Sequence, residues 1–165
     1  MAPGAFHSMP DTILTLNAGS SSIKFALFEI GSSRSPERTA RGEVERLTTE
    51  PSLVIVGRNG DVVERKEWGR EAPPFETIVR TVIERIEAHQ GEGPLVAIGH
   101  RVVHGGSTHV KPERITPALY ADLERLVPLA PLHQKHNLEP IRALMSLRPG
   151  LPQIACFDTA FHASM

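Results

Sequence analysis

A short polar turn near the start of the chain has the residue types that bind a phosphate group. Residues 17–22 read Asn-Ala-Gly-Ser-Ser-Ser and follow an apolar segment at residues 12–16. Such a turn brings backbone N–H groups, one amide and three hydroxyls to a single place, and its glycine lets the backbone approach a ligand closely. The turn is therefore predicted to contact phosphate oxygens or metal-bound water through Asn17, Ser20 and Ser22.

Lys24 is predicted to point the same way as the hydroxyls of this turn. In a strand over residues 23–30, successive side chains alternate between the two faces. Ser22 and Lys24 then share one face, while Ile23 and Phe25 lie on the other. A polar hairpin turn with a solvated lysine is the alternative interpretation of the same residues.

Arg101 lies near the end of an apolar, β-branched run at residues 95–103 that is typical of a buried strand. With Val102 and Val103 beside it, the guanidinium must find an anion or reach solvent. Strand ends are where α/β folds place ligand groups, and the planar guanidinium suits two-point contact with a phosphoryl group or a carboxylate. The residues alone leave two interpretations open, a structural ion pair and contact with a ligand.

A histidine and an aspartate complete the set of candidate catalytic residues. His133 follows Pro131-Leu132, a rigid approach that would fix its imidazole, although a lone histidine can equally be a packed or surface residue. Asp158 follows a predicted final strand, Gln153–Phe157, where its carboxylate would face solvent in a cleft. One such carboxylate is compatible with Mg²⁺, which keeps waters and binds substrate phosphates. A helix cap or a turn former is the alternative for Asp158.

Composition and charge argue against several classes of partner. The formal net charge of −1 over 165 residues gives no electrostatic reason to expect nucleic acid or an anionic membrane. Apolar runs are too short to span a bilayer, and the first ten residues lack the basic start and apolar stretch of a signal peptide. A cytoplasmic location is predicted, and residues 1–10 are interpreted as an extended native start or a cloning remnant.

The cysteine and two histidines are not predicted to bind metal. Cys156 is the only cysteine, which excludes an intrachain disulfide and a thiolate zinc cluster, and its apolar neighbours suggest a buried small hydrophobe. His100 and His104 have the four-residue spacing of a helical metal pair, but the segment between them reads as a strand leading into a loop. Their rings therefore need not converge.

The order of predicted elements indicates an α/β fold with a mixed sheet and packed helices. Strand-like segments come first and include a hairpin around Asn59-Gly60; helices and strands then alternate. After the turn, strands are predicted at 41–47, 53–57, 62–68, 95–103 and 153–157, and helices from Pro73-Pro74, from Pro117 and over 138–147 with Asn137 as its cap.

Four blocks in the chain resemble, in order, the signature segments of acetate kinases. They are Asn17-Ala-Gly-Ser-Ser-Ser-Ile-Lys24, Gly99-His-Arg-Val-Val-His-Gly-Gly106, Leu129-Ala-Pro-Leu-His133 and Cys156-Phe-Asp-Thr-Ala-Phe-His162. The resemblance implies a ribonuclease H-like half-domain of the actin-like ATPase superfamily. Residues 11–165 would be the N-terminal acetate kinase domain, ending before the C-terminal nucleotide-binding domain.

The resemblance also implies roles for individual residues. Arg101 and His133 would contact the phosphoryl group as it is transferred, and Val103 and Leu132 would line a pocket for the acetyl methyl. Asn17, Ser20, Ser22 and Lys24 would lie on the phosphate and nucleotide side, and Asn17 and Asp158 would serve Mg²⁺. Where the family commonly has Asn-Pro after the histidine, this chain has Gln134-Lys135, which we interpret as a change in a surface loop.

The activity implied by the resemblance is direct, Mg²⁺-dependent phosphoryl transfer between ATP and acetate, giving acetyl phosphate and ADP. Propionate is a close alternative substrate, because one methylene in an apolar pocket discriminates by only about 1–3 kcal/mol. Expected partners are acetate or acetyl phosphate, ATP or ADP, a missing C-terminal domain or partner chain, and a second copy in a homodimer. A non-catalytic fragment that binds a small anion, or one half of a split kinase, is the alternative.

Overall fold

The structure is a computed structural model that describes residues 9–32, 35–89 and 93–163. Its strands are β1 (Asp11–Ala18), β2 (Ile23–Ile30), β3 (Glu37–Glu45), β4 (Ser52–Gly57), β5 (Val62–Glu67), β6 (Leu95–Val102), β7 (Glu113–Arg114) and β8 (Gln153–Phe157). Its helices are α1 (Phe75–His89), α2 (Pro117–Arg125), α3 (Pro131–Leu147) and α4 (Asp158–Ala163), with a 3₁₀ turn at Val127–Leu129.

The strands form one mixed sheet in the order β5-β4-β3-β2-β1-β6-β8-β7. The first five strands pair antiparallel in chain order, whereas β1, β6 and β8 run parallel to one another. The hairpin predicted at Asn59-Gly60 joins β4 to β5, and Gly60 has the positive φ of 86° that such turns require. The predicted fold class, a mixed sheet with packed helices, is confirmed.

One face of the sheet carries the main hydrophobic core. Alternate residues of the central strands point to this face and are buried, as Leu14 of β1 and Ile98 of β6 show. Helix α1 packs Ile78, Val82 and Ile83 into the same cluster, and α3 adds Leu144. Burial of these side chains is the largest favourable contribution to folding. None of the helices in the described residues is long and apolar enough to cross a membrane.

Two of the differences from the sequence-based element boundaries bear on the site; elsewhere, β3 spans Glu37–Glu45 rather than residues 41–47. Strand β1 continues through Asn17 and Ala18, because both pair with β2, so the turn shortens to residues 19–22. Helix α3 begins at Pro131, a residue well suited to the first helical turn, rather than after Asn137. Asn137 is therefore inside the helix and is not its cap. The short elements β7 and α4 were not predicted.

Gly42 of β3 makes room for a core aromatic ring. A Cβ added at Gly42 would lie 2.7 Å from the backbone oxygen of Val54 and would also overlap the ring of Phe25. Phe25 is buried, so the ring can retreat only by disturbing its neighbours. At Gly99 of β6, in contrast, an added Cβ would meet nothing within 4 Å.

Gly42→Ala is expected to lower the free energy of unfolding by about 1–3 kcal/mol, because overpacking a filled site displaces its neighbours. The matched variant Gly99→Ala has open space and should be neutral or stabilising by about 0.5–1 kcal/mol, since alanine loses less backbone entropy. Urea denaturation of both variants measures the difference. Equal effects of the two substitutions would show that the packing at Gly42 is not tight.

Candidate active site

A row of polar side chains crosses the sheet on the face opposite to the main core. Strand pairing places Asn17 of β1 opposite Lys24 of β2, and Lys24 opposite Glu43 of β3. On the other side of β1, Arg101 of β6 pairs with Cys156 of β8. Because these positions alternate with buried ones, all five side chains share the second face. Lys24 is exposed while its neighbours in β2 are buried, as the alternation predicted.

This face contains a groove with a volume of about 660 Å³. Among the described residues, its lining includes the basic side chains of Lys24, Arg38, Arg41 and Arg101 and the single carboxylate of Glu43. Basic groups gathered on a concave surface raise the local concentration of anions. The sheet therefore presents a positively charged groove, although the chain as a whole is close to neutral.

Arg101 and Asp158 form a two-point ion pair at the end of this groove. The Arg101 Nε donates to Asp158 Oδ1 at 3.0 Å and to Oδ2 at 3.1 Å, and Nη2 donates to Oδ2 at 2.7 Å. The hydrogen bonds to Asp158 raise the pKa of Arg101, with the carboxylate charge adding to the effect. The sequence singled out both residues but not their contact, and Asp158 begins α4 instead of standing alone in solvent.

The Arg101–Asp158 pair is accessible to solvent and can be exchanged. The side chains are 53% and 33% exposed. Water that reaches both side chains solvates the separated charges, so this pair costs less to separate than a fully buried one would. Another anion that offers two oxygens in a similar geometry can therefore compete with Asp158 for the guanidinium.

The predicted phosphate turn is a compact hairpin connection. Gly19 N–H donates to the carbonyl of Ser22 at 2.8 Å, and Leu47 N–H donates to the carbonyl of Ser21 at 3.1 Å. Ser20 is exposed and Ser22 is half-buried, and within the described residues neither hydroxyl has a hydrogen-bond partner. The hydroxyls are thus available to a ligand, but neither serine lines the groove.

The structure does not bring His133 into the groove. His133 lies in the first turn of α3, and within the described residues its exposed ring has no hydrogen-bond or ion-pair partner. No partner among the described residues holds the imidazole, so the expectation that Pro131-Leu132 fixes it stays a prediction. Leu132 is 75% exposed and Val103 is half-buried, and neither lines the groove. Their assignment to a methyl pocket stays a prediction.

Gln134 is a buried helical residue, so its interpretation as part of a surface loop was wrong. It is 0% exposed, and its side chain bonds both backbone groups of His104. Oε1 accepts from the His104 N–H at 3.2 Å, and Nε2 donates to the His104 carbonyl at 3.0 Å. Since α3 starts earlier than predicted, position 134 faces inward. Gln134 thereby anchors the loop that follows Arg101.

Cys156 is exposed, so the prediction of a buried small hydrophobe was also wrong. Its burial was inferred from the apolar run Gln153–Phe157, but the side chain of Cys156 points to the sheet face opposite to the main core. Partial loss of hydration in the groove still raises the pKa of the thiol above its usual value. The thiol therefore stays protonated at neutral pH and is a weak nucleophile.

The two histidines with metal-pair spacing have separate partners. His100 points to the helix-covered face, where it is 1% exposed and lies 2.7 Å from Gln153 Oε1 through Nε2. His104 instead accepts from the Gly106 N–H at 2.9 Å through Nδ1. Burial lowers the pKa of His100 from 6.5 to about 4, despite the opposing hydrogen bond to Gln153. His100 is therefore neutral at pH 7.

The oxygen donors at this edge of the sheet suit magnesium. Asn17 and Asp158 offer an amide oxygen and a carboxylate, which are the hard ligands that Mg²⁺ prefers. The described residues hold no cluster of three or more His, Cys, Asp or Glu side chains that could hold a metal. Mg²⁺ commonly uses one or two protein oxygens together with waters and substrate phosphates, so the residues present fit this ion.

Sequence reasoning missed Arg38, Arg41 and Glu43 as parts of the groove. Arg41 and Glu43 lie two residues apart in β3 and pair with Ala26 and Lys24 of β2. The sequence shows that Arg41 and Glu43, two residues apart in a strand, point to the same face. It does not show the strand register that places them beside Lys24. The groove therefore contains more positive charge than the motifs alone indicated.

The neutral state of His100 makes stability depend on pH. Between pH 6.5 and pH 4, the unfolded chain binds a proton at His100 that the folded chain does not. The free energy of unfolding should therefore fall as the pH is lowered through this window, by up to about 3 kcal/mol. His100→Gln keeps a hydrogen-bonding amide but cannot titrate, so it should flatten the slope. Denaturation at several pH values tests this, and equal slopes for both proteins would refute the assignment.

The sequence of this chain is similar to those of known proteins over most of its length. The model of the acetokinase family matches residues 12–165. An acetate kinase of Rhodopseudomonas palustris (strain ATCC BAA-98 / CGA009) is 43% identical over 155 residues, which cover 93% of this chain and 39% of the relative. The chain therefore spans well under half the length of that relative.

Solved structures show the same fold. The chain matches a crystal structure of Porphyromonas gingivalis acetate kinase with a TM-score of 0.80 and 34% identity, over 94% of this chain and 39% of that one. It also matches a propionate kinase from Francisella tularensis subsp. tularensis SCHU S4 with a TM-score of 0.79 and 33% identity, over 94% and 38% of the two chains. These matches confirm the predicted fold, a mixed α/β domain of the actin-like ATPase superfamily. The chain belongs to the acetokinase family.

Proposed function

We propose that the chain takes part in Mg²⁺-dependent phosphoryl transfer between ATP and acetate, and that it contributes the acetate- and phosphoryl-binding side of the active site. The observation that carries this proposal is the two-point contact with Asp158 made by Arg101, which lines a groove together with Asn17 and Lys24. A guanidinium held in this way by a carboxylate has the geometry needed to hold a phosphoryl group or the carboxylate of acetate.

Arg101 is the central phosphoryl ligand in this proposal. The incoming phosphoryl oxygens replace Asp158 on the guanidinium, an exchange favoured by the greater charge of phosphate. Lys24 lies two strands away on the same face and adds a second positive charge. Positive groups already in place stabilise the charge that develops on the transferring group without costly reorganisation. Direct transfer between aligned oxygens requires no covalent enzyme intermediate.

Asp158 and Asn17 would hold magnesium. When bound, the ion supplies positive charge to the transferring phosphates and helps to orient them. The exchange at Arg101 frees carboxylate oxygens of Asp158, so one residue can neutralise the guanidinium before substrate binds and serve the ion afterwards. The Ser20 and Ser22 hydroxyls, which have no hydrogen-bond partner within the described part of the chain, are suited to the phosphate and nucleotide side.

His133, Val103 and Leu132 complete the acetate side of the proposal. The exposed His133 ring can donate a hydrogen bond to a phosphoryl oxygen, and Val103 and Leu132 offer apolar surface for a methyl group. Propionate is the second candidate substrate, supported by the structural match to a propionate kinase. A pocket that accepts one extra methylene discriminates weakly between these acids.

Several parts of the proposed activity depend on protein outside this chain. The chain covers 39% of the R. palustris acetate kinase, so the adenosine site is assigned to a C-terminal domain or a partner chain. ATP and ADP, a homodimeric state and a cytoplasmic location are proposed together with this activity. A fragment that binds a small anion without catalysis, or one half of a split kinase, is distinguished by the following experiment.

Acetyl phosphate formed from acetate and MgATP is trapped as the hydroxamate, for the wild-type polypeptide and for Arg101→Ala. Arg148→Ala is the matched control, because Arg148 forms a similar two-point pair with Glu87 through Nε at 3.2 Å and Nη2 at 3.1 Å. Where the wild-type polypeptide turns over, Arg101→Ala is expected to lower the rate by about 100-fold to 1,000-fold, because one positive group at the transferring phosphoryl is lost, whereas Arg148→Ala should leave the rate unchanged.

Binding of acetyl phosphate, measured by calorimetry on the same three proteins, separates the alternatives. Binding that depends on Arg101 without any turnover would support an anion-binding fragment or half of a split kinase and would refute catalysis by this chain alone. Neither binding nor turnover would contradict the proposed function. Comparison of propionate with acetate as acceptor decides between the two substrates.

A further inference from the structure

The amide of Asn137 lies between two strands at the point where they separate. Parallel pairing of β1 with β6 ends at Leu16 and His100. Beyond this point β1 continues to pair with β2 through Ala18, while β6 continues to pair with β8 through Val102. The ends of β1 and β6 therefore diverge next to the candidate phosphate turn, and their facing backbone groups need other partners.

Asn137 supplies both missing hydrogen bonds. Its Nδ2 donates to the Ala18 carbonyl at 2.8 Å, and its Oδ1 accepts from the Val103 N–H at 2.8 Å. Since one partner only accepts and the other only donates, the orientation of the amide is determined by its contacts. The side chain is 5% exposed, so the two bonds are shielded from water. The amide of Asn137 takes the place of a peptide unit between the strands.

These two contacts connect three segments that carry candidate site residues. Ala18 directly precedes the turn with Ser20 and Ser22, and Val103 follows the strand end that carries Arg101. Asn137 itself lies on α3, one helical turn after His133. A shift of Asn137 would change the distances among the serine hydroxyls, the guanidinium and the imidazole. Displacements of about 1 Å between reacting groups are enough to slow a reaction strongly.

We infer that Asn137 is a positioning residue for the anion site. It holds the β1–β2 turn at a set distance from the end of β6, which carries Arg101. This inference rests on the proposed function, because the bound anion is taken to be a phosphoryl group. Gln134 has a different task on the same helix. Within the described residues its side chain bonds to His104 and Leu123, and not to the diverging ends of β1 and β6.

The test compares Asn137→Ala with Thr12→Val. Thr12 is 0% exposed, and its hydroxyl donates to the Pro94 carbonyl at 2.9 Å at the opposite end of β1. Thr12→Val therefore removes one buried hydrogen bond from the same strand, far from the turn. Asn137→Leu is a second test variant, because leucine has the same branching as asparagine, fills the site and cannot form hydrogen bonds. It covers the case in which the cavity left by alanine prevents folding.

Two quantities are measured for each protein. Amide hydrogen exchange of Val103 and of residues 19–23 reports on the link between the strands, and NMR titration with inorganic phosphate reports on the anion site. After correction for any change in global stability, hydrogen exchange at these amides should be about tenfold faster in both Asn137 variants than in the wild type. Both variants should also bind phosphate about tenfold more weakly. Thr12→Val should change neither quantity beyond its effect on global stability.

The outcomes separate this inference from the proposed function. The positioning role would be overturned if the Asn137 variants showed the same amide hydrogen-exchange rates and the same phosphate affinity as Thr12→Val. If the wild-type chain bound no phosphate, the proposed function would fail, and the exchange data alone would decide whether Asn137 holds the turn and the strand end together. Weaker phosphate binding together with faster local exchange would support both.

Discussion

The parallel pairing of β1 with β6 is the constraint on which the candidate site depends. Parallel neighbours bring their carboxyl ends to the same edge of a sheet, and here those ends carry Asn17 and Arg101. Neither residue is near the other in sequence, and antiparallel pairing would have moved them to opposite edges. Beyond the paired segment the strands separate, which creates the opening between the turn and the guanidinium. Ligands of open α/β sheets bind in such openings.

The ion pair at this edge of the sheet allows another anion to replace Asp158 at Arg101. Asp158 neutralises Arg101 when no ligand is present, and the two are sufficiently exposed for water to share in solvating them. A fully buried pair would be costly to break, since separated charges inside a protein are poorly solvated. Arg38 and Arg41 line the same groove as Arg101 and add to its positive charge.

The sequence predicted those features of the site that depend on local pattern. Alternation placed Lys24 correctly, and the end of an apolar strand placed Arg101 correctly, because both follow from strand geometry. Contacts between distant segments were not predictable in this way. Arg101 and Asp158 are 57 residues apart, and Asn137 bonds Ala18 across 119 residues. A polar residue in a helix gives no sign of its partner until the helix is packed.

Errors in the prediction have a common physical origin. Cys156 and the strand around Arg101 were interpreted as fully buried, although helices cover only one face of the sheet. Gln134 was interpreted as a loop residue because the helix was predicted to begin only after Asn137, whereas α3 begins at Pro131, a residue that is well accommodated in a first helical turn. In each case tertiary packing, rather than the local residue pattern, decides which side chains are exposed.

The most direct test of the site is to observe Arg101 itself while an anion is added. The ¹⁵N resonance of its Nε–H group can be followed by NMR during titration with inorganic phosphate and with acetyl phosphate. Arg148, which pairs with Glu87 in the same two-point manner, provides an internal control. If phosphate replaces Asp158, the Arg101 resonance will shift and reach a plateau while that of Arg148 stays constant. If both resonances stay constant, or both drift equally without reaching a plateau, Arg101 is only a structural ion pair and the proposed site is wrong.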